Sequence, residues 1–145
     1  MAIDYPALNT EILTDPTGIG YAPYVTDGND VLVAALLNEV RVAAPTFTIN
    51  RGEVPSQKVV NEFDATEFGA LVTEQLQRLS ILTQFGTVDL GDATVRQILG
   101  AIFPLGGPTR TNLTALATRP CSRGEFLFGA GTVITPGDVA KALRG

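Results

Sequence analysis

This sequence predicts a mostly α fold: a compact bundle of short helices with one extended arm or small β-hairpin. Three observations lead there. Helix-starting residues (Asp, Asn, Ser or Thr ahead of an apolar run) recur along the chain. The runs behind them space their apolar residues at the helical period, as Val95, Ile98, Leu99 and Ile102 do. One stretch, Thr46-Phe47-Thr48-Ile49, instead alternates polar and apolar residues as a strand does.

Asp4 caps a first helix with Pro6 in its first turn, where a missing N–H costs little. The helix runs to about Leu13 and stops before Asp15-Pro16, because the residue before a proline avoids the α region. Gly18 and Gly20 then permit a tight turn. Asn29 caps a second helix, to about Val40, with Leu32, Ala35, Leu36 and Glu39 along one stripe.

Residues 41–54 read as an arm: a short strand or a surface loop, closed by the Arg51-Gly52 turn. If it is a strand it must pair, with itself as a hairpin, with another short strand, or with a neighbouring subunit.

Pro55 opens a third helix with Val59, Val60 and Phe63 facing inward. Asp64-Ala65-Thr66-Glu67 has capping-box form. Thr73 starts the next helix, to about Gln84, and Gly86 ends it. Val88 to Leu90 is extended, Asp92 caps Ala93 to Phe103, and Thr109 begins a helix through Ala117. Ser122-Arg123-Gly124-Glu125 and Thr135-Pro136-Gly137-Asp138 are two further boxes. The last helix ends at Leu143, with Lys141 and Arg144 at the end that favours cations. The reading is seven or eight helices in a single helical domain, 1–145, with 41–54 as a projecting loop or arm.

Composition narrows the function. Apolar residues are 45% and charged residues only 17%, which leaves neutral surface of the kind a subunit buries against neighbours. The net charge of −5 argues against a general nucleic-acid binder. Residues 1–75 hold eleven acids and three bases, and residues 76–145 hold four acids and seven bases. That asymmetry suits head-to-tail contact between copies, or is chance partition along a chain whose fold mixes both halves. No signal-peptide pattern opens the sequence and no apolar run is long enough to cross a membrane, so the expectation is a soluble product made in the cytoplasm.

Reactive constellations are missing. With no histidine, Ser-His-Asp and Cys-His activation and histidine metal sites are excluded. Cys121 is the single cysteine and reads as a small core hydrophobe rather than a nucleophile. Asp27, Asp30 and Glu39 lack the spacing of a calcium loop and read as a cap plus solvated acids. Gly129-Ala130-Gly131-Thr132 lacks the Lys-Ser/Thr pair of a phosphate loop and reads as a helix break. Asn112-Leu113-Thr114 is a chance sequon, and Arg51-Gly52-Glu53 and Arg123-Gly124-Glu125 read as turn or cap. No catalytic, cofactor-binding or metal residue is assigned, and an enzyme, even one using carboxylates alone, is disfavoured.

The run Asp15-Pro16-Thr17-Gly18-Ile19-Gly20-Tyr21, followed by the helix carrying Ala34-Ala35-Leu36-Leu37-Asn38, resembles small proteins of the head-and-neck gene cassettes of tailed bacteriophages. The likeness covers roughly the first 40 residues best. Val59-Val60-Asn61, Phe68-Gly69-Ala70-Leu71, Phe128 to Ile134 and Asp138 to Leu143 are similar too, while the 41–54 arm departs from the family. These motifs are turns, caps and apolar stripes, which mark kinship better than activity.

The resemblance implies an adaptor or head-completion subunit of the virion, forming a ring of its own copies at the portal–tail junction. Implied partners are the portal protein and a tail terminator or stopper protein, with DNA passing through and not bound specifically, and no membrane. An acidic channel wall fits that role, because repulsion lowers non-specific affinity for DNA. Phe47, Ile49 and Arg51 in the arm, and Lys141 and Arg144 in the last helix, are the expected interface residues, with Phe47 and Ile49 as core residues the alternative. A tail terminator or head decoration protein is the other virion reading, though such proteins carry more β pattern. A small regulatory or binding domain outside the virion is the reading without symmetric assembly.

Overall fold

The computed structural model describes residues 2–145. The elements in order are α1 (Tyr5–Thr14), α2 (Ala22–Thr26), α3 (Asp30–Asn38), β1 (Phe47–Asn50), β2 (Val54–Pro55), α4 (Ser56–Asn61), α5 (Ala65–Gly69) and α6 (Thr73–Thr83). They continue with β3 (Thr87–Val88), α7 (Ala93–Ile102), α8 (Pro108–Leu116), β4 (Thr118–Cys121), α9 (Arg123–Phe128) and α10 (Pro136–Arg144). The fold is mostly α with a small β component, as the capping signals predict. Among the described residues there are ten helices where the sequence reading counts seven or eight, and none exceeds 11 residues. Helices this short are marginal alone in water, so each depends on the face it buries.

The cap signals work as read. The side chains of Asp4, Asn29, Asp64, Asp92, Ser122 and Thr135 each accept a hydrogen bond from a backbone N–H of the first turn that follows. Glu67 departs from the expected box. Its carboxylate caps the start of α8, accepting from the Thr109 N–H at 2.8 Å, while the Asp64 N–H donates to the Thr109 hydroxyl. A Cβ on Gly107 would collide with that carboxylate, which accounts for glycine at the N-cap of α8. Val72, one residue ahead of the expected Thr73, caps α6; it has no side-chain acceptor, and Gln75 reaches back to its N–H.

Where the sequence reads as one domain, the chain gathers into two compact units: the residues up to Ile49 together with Pro120–Gly145, and Asn50–Arg119. The first unit packs α1 and α3 against α10, with α2 and α9 also on α3. Its core includes Leu8, Ile12, Tyr21, Val33, Leu37 and Val139, and Cys121 is buried there as a small hydrophobe. The second unit packs α6 on α7 and joins α4 and α6 to the β2–β3 pair, in which Val54 faces Val88 in antiparallel register. Its core includes Val54, Val59, Val88, Leu99, Phe103 and Leu113.

The 41–54 stretch is not a free arm. Its strand β1 pairs with β4, a strand that the sequence reading leaves unassigned between Ala117 and Ser122, and Phe47 is only 8% exposed in the first unit's core. Of the pairings open to it, β1 takes another short strand of its own chain.

Candidate functional site

The N-terminal segment that carries the resemblance is a structural device. Asp15 ends α1 in the left-handed region (φ 42°), tolerable for an Asp whose short side chain bonds locally. Its carboxylate accepts from the Ile19 N–H at 2.8 Å and the Gly20 N–H at 2.7 Å, closing the turn around Pro16 to Gly18. Gly20 takes φ 103°, where a side chain would be strained. The turn delivers Tyr21 to the core, where its hydroxyl donates to Glu11 at 3.1 Å.

Glu11 sits on the buried face of α1, between Leu8 and Ile12, and meets Arg123 of α9. Arg123 Nε and Nη2 donate to the two carboxylate oxygens at 2.8 and 3.0 Å. The guanidinium also lies 4.9 Å from the Phe47 ring centroid and 5.3 Å from that of Phe126. Hydrogen bonding to Glu11 pushes the Arg123 pKa up, and burial, then the Glu11 charge, pushes the Tyr21 phenol up. The Glu11 and Arg123 charges are matched and enclosed, so the pair ties α1 to α9. Sequence reading took Arg123 for a turn or cap residue. The signal that could have found the pair is Glu11 itself, at the spacing of a buried stripe.

Two further resembling segments meet in the same unit. The Asn38 side chain donates to the Ile134 carbonyl at 2.7 Å and accepts from the Ile134 N–H at 2.8 Å. It thereby satisfies the backbone of the extended stretch before α10 as a partner strand would. Gly129 and Gly131, at φ 108° and 79°, end α9 as the expected helix break.

The expected interface residues are placed as follows. Phe47 is core, and Ile49 packs on the same core. The Arg51 N–H donates to the Ala117 carbonyl at 2.8 Å, and the residue is partly exposed. Lys141 sits 4.3 Å over the Tyr5 ring, and Arg144 pairs with Asp30. Except for Arg51 these residues share one unit, where the two cations tie α10 to α1 and α3.

The second unit holds a cleft of about 360 Å³ that sequence reading missed. Arg96 and Arg110 line it together with Leu90, Leu99 and Leu113. Its signal was Gly100, inside α7, since an interior helix glycine costs stability and calls for a reason.

Large apolar side chains stand in solvent on both units: Val42 is 100% exposed, Leu105 88% and Phe85 78%. The charge split between sequence halves does not survive folding. The first unit holds eight acids and four bases, net −4, and the second seven acids and six bases, net −1. Both termini fall in one unit, so the fold mixes the halves. Among the described residues no cluster of metal-ligating side chains forms, and no helix is long and apolar enough to cross a membrane.

No protein-family model, curated protein or solved structure matches this chain.

Proposed function

We propose that the chain is a structural protein of a tailed-bacteriophage virion, an adaptor or head-completion subunit that forms a ring at the portal–tail junction through which DNA passes. The observation that carries this reading is the resemblance of the Asp15–Tyr21 turn and the helix ending at Asn38 to small proteins of head-and-neck gene cassettes. The geometry of those residues is in keeping with a structural part. Asp15, Tyr21 and Asn38 all hold backbone or core.

Two physical features support assembly. Val42, Phe85 and Leu105 expose apolar surface that a neighbour would cover with gain. Both units carry net negative charge, which disfavours adhesion to passing DNA. Head-to-tail contact between copies would be apolar, since the charge asymmetry between sequence halves is dispersed by the fold.

The test is the protein content of purified particles from the genome that encodes the chain, followed by a reconstruction. The expected result is a ring of copies between portal and tail. Absence from the particles would overturn a virion role, and density on the capsid surface or at the tail end would overturn the neck position.

A further inference from the structure

We infer that the cleft of the second unit is a binding site for a carboxylate-bearing apolar peptide segment of a partner protein. Its polar groups are Arg96, Arg110, Asn50, Thr114 and Thr118, its apolar walls include Leu90, Leu99 and Leu113, and no carboxylate lines it. Arg96 is held in place: its Nε donates to the Leu90 carbonyl at 2.6 Å and its Nη2 to Asn50 Oδ1 at 3.2 Å. That leaves the Asn50 Nδ2 and the rest of the Arg96 guanidinium as donors.

Arg110 is the more telling residue. Its side chain makes no hydrogen bond or ion pair among the described residues. Its guanidinium lies against Gly100, where a Cβ would come within 2.7 Å of Nη2. The glycine clears the space in which this unmatched cation sits, at a cost of about 1 kcal/mol to the helix.

The donor set selects the occupant. A guanidinium presents paired N–H groups in a fork that matches a carboxylate, and the second cation adds to the attraction. The leucine walls take an apolar side chain beside that carboxylate, and the volume suits a few residues of peptide. A nucleic-acid backbone fits worse. It calls for a basic stripe, and this unit has a net charge of −1, with three leucines beside the two arginines of the cleft. The inference goes beyond the virion reading and does not depend on it.

The experiment is NMR titration of the whole protein with the peptide N-acetyl-Leu-Glu-Leu-amide, its Gln isostere, and inorganic phosphate. The Glu peptide is expected to shift the Arg96 and Arg110 side-chain Nε signals and the Leu99 and Leu113 methyls saturably. It should bind at least about tenfold more tightly than the Gln peptide. Arg110→Gln should abolish that preference while leaving the dispersed spectrum of a folded chain. Gly100→Ala, which displaces the guanidinium, should weaken it. Equal binding of the Glu and Gln peptides, equal competition by phosphate, or shifts confined to other surfaces would each overturn the proposal. Particle content tests the virion reading separately.

Discussion

Glu11 and Arg123, 112 residues apart in the chain, meet through two hydrogen bonds of 2.8 and 3.0 Å inside the first unit. Removing one partner strands the other charge away from water. Glu11→Ala should therefore cost about 3–5 kcal/mol in urea unfolding. Replacing both partners with apolar residues, Glu11→Leu with Arg123→Met, should cost clearly less than the sum of the single changes. Additive losses would mean that the two charges do not depend on each other.

Tyr21→Phe removes a donor to the same carboxylate and leaves the ring in place. The expected loss is about 1.5–3 kcal/mol, as for a hydrogen bond to a charged group. In the wild type, the folded phenol titrates above its ordinary value of 10.0, because burial and the Glu11 charge disfavour the phenolate. Its contribution is complete below pH 10 and falls away as pH rises beyond that. Near-ultraviolet tyrosinate absorbance should show one tyrosine ionising only as the chain unfolds, and that step should vanish in Tyr21→Phe.

The helical framework was legible because caps are local. Asn29 or Thr135 needs only residues within one turn to declare itself. The Glu67 box misled because Thr109, 42 residues away, competes for the Glu67 carboxylate. Helix α2 went unread because Gly20, just ahead of it, reads as a turn residue and the helix is only five residues long, with Pro23 in a first turn that needs no N–H from it. Strand β4 carries Pro120 and has no alternation to betray it. The arm's partner, the Arg123 pairing and the cleft arginines are products of long-range packing: Glu11 and Gly100 mark positions that call for a partner, but no spacing rule names it.

Asn38→Asp tests the backbone clamp. The carboxylate still accepts from the Ile134 N–H but has no proton for the Ile134 carbonyl, which then faces negative charge. A loss of about 1–3 kcal/mol is expected. Amide exchange at Ile134 should rise above that of the remaining core.

Asp138 caps α10 through Thr135 and accepts from the Tyr5 hydroxyl at 3.0 Å. The Thr135 N–H, foremost, holds its carboxyl below the ordinary 3.8. A depressed value stabilises the fold fully above that ordinary value and loses its contribution as pH falls through the folded one. Asp138→Ala should lower stability by about 1 kcal/mol at neutral pH. It should also flatten the acid limb of the pH–stability curve below pH 4.

Serine at Val42, Phe85 or Leu105 should change unfolding free energy by less than about 0.5 kcal/mol, since these side chains touch little of their own chain. If the virion reading holds, the same changes should reduce incorporation into particles. Normal incorporation of all three would remove apolar contact as the basis of assembly.

The division of the chain has a consequence for its synthesis. Residues 50–119 are all synthesised before the first residue of α10, whereas the unit built on α1 and α3 lacks one wall until α10 has been made. The later-starting unit is therefore complete in sequence first, and the greasy side of α1 waits without its partner helix until the last residues are added.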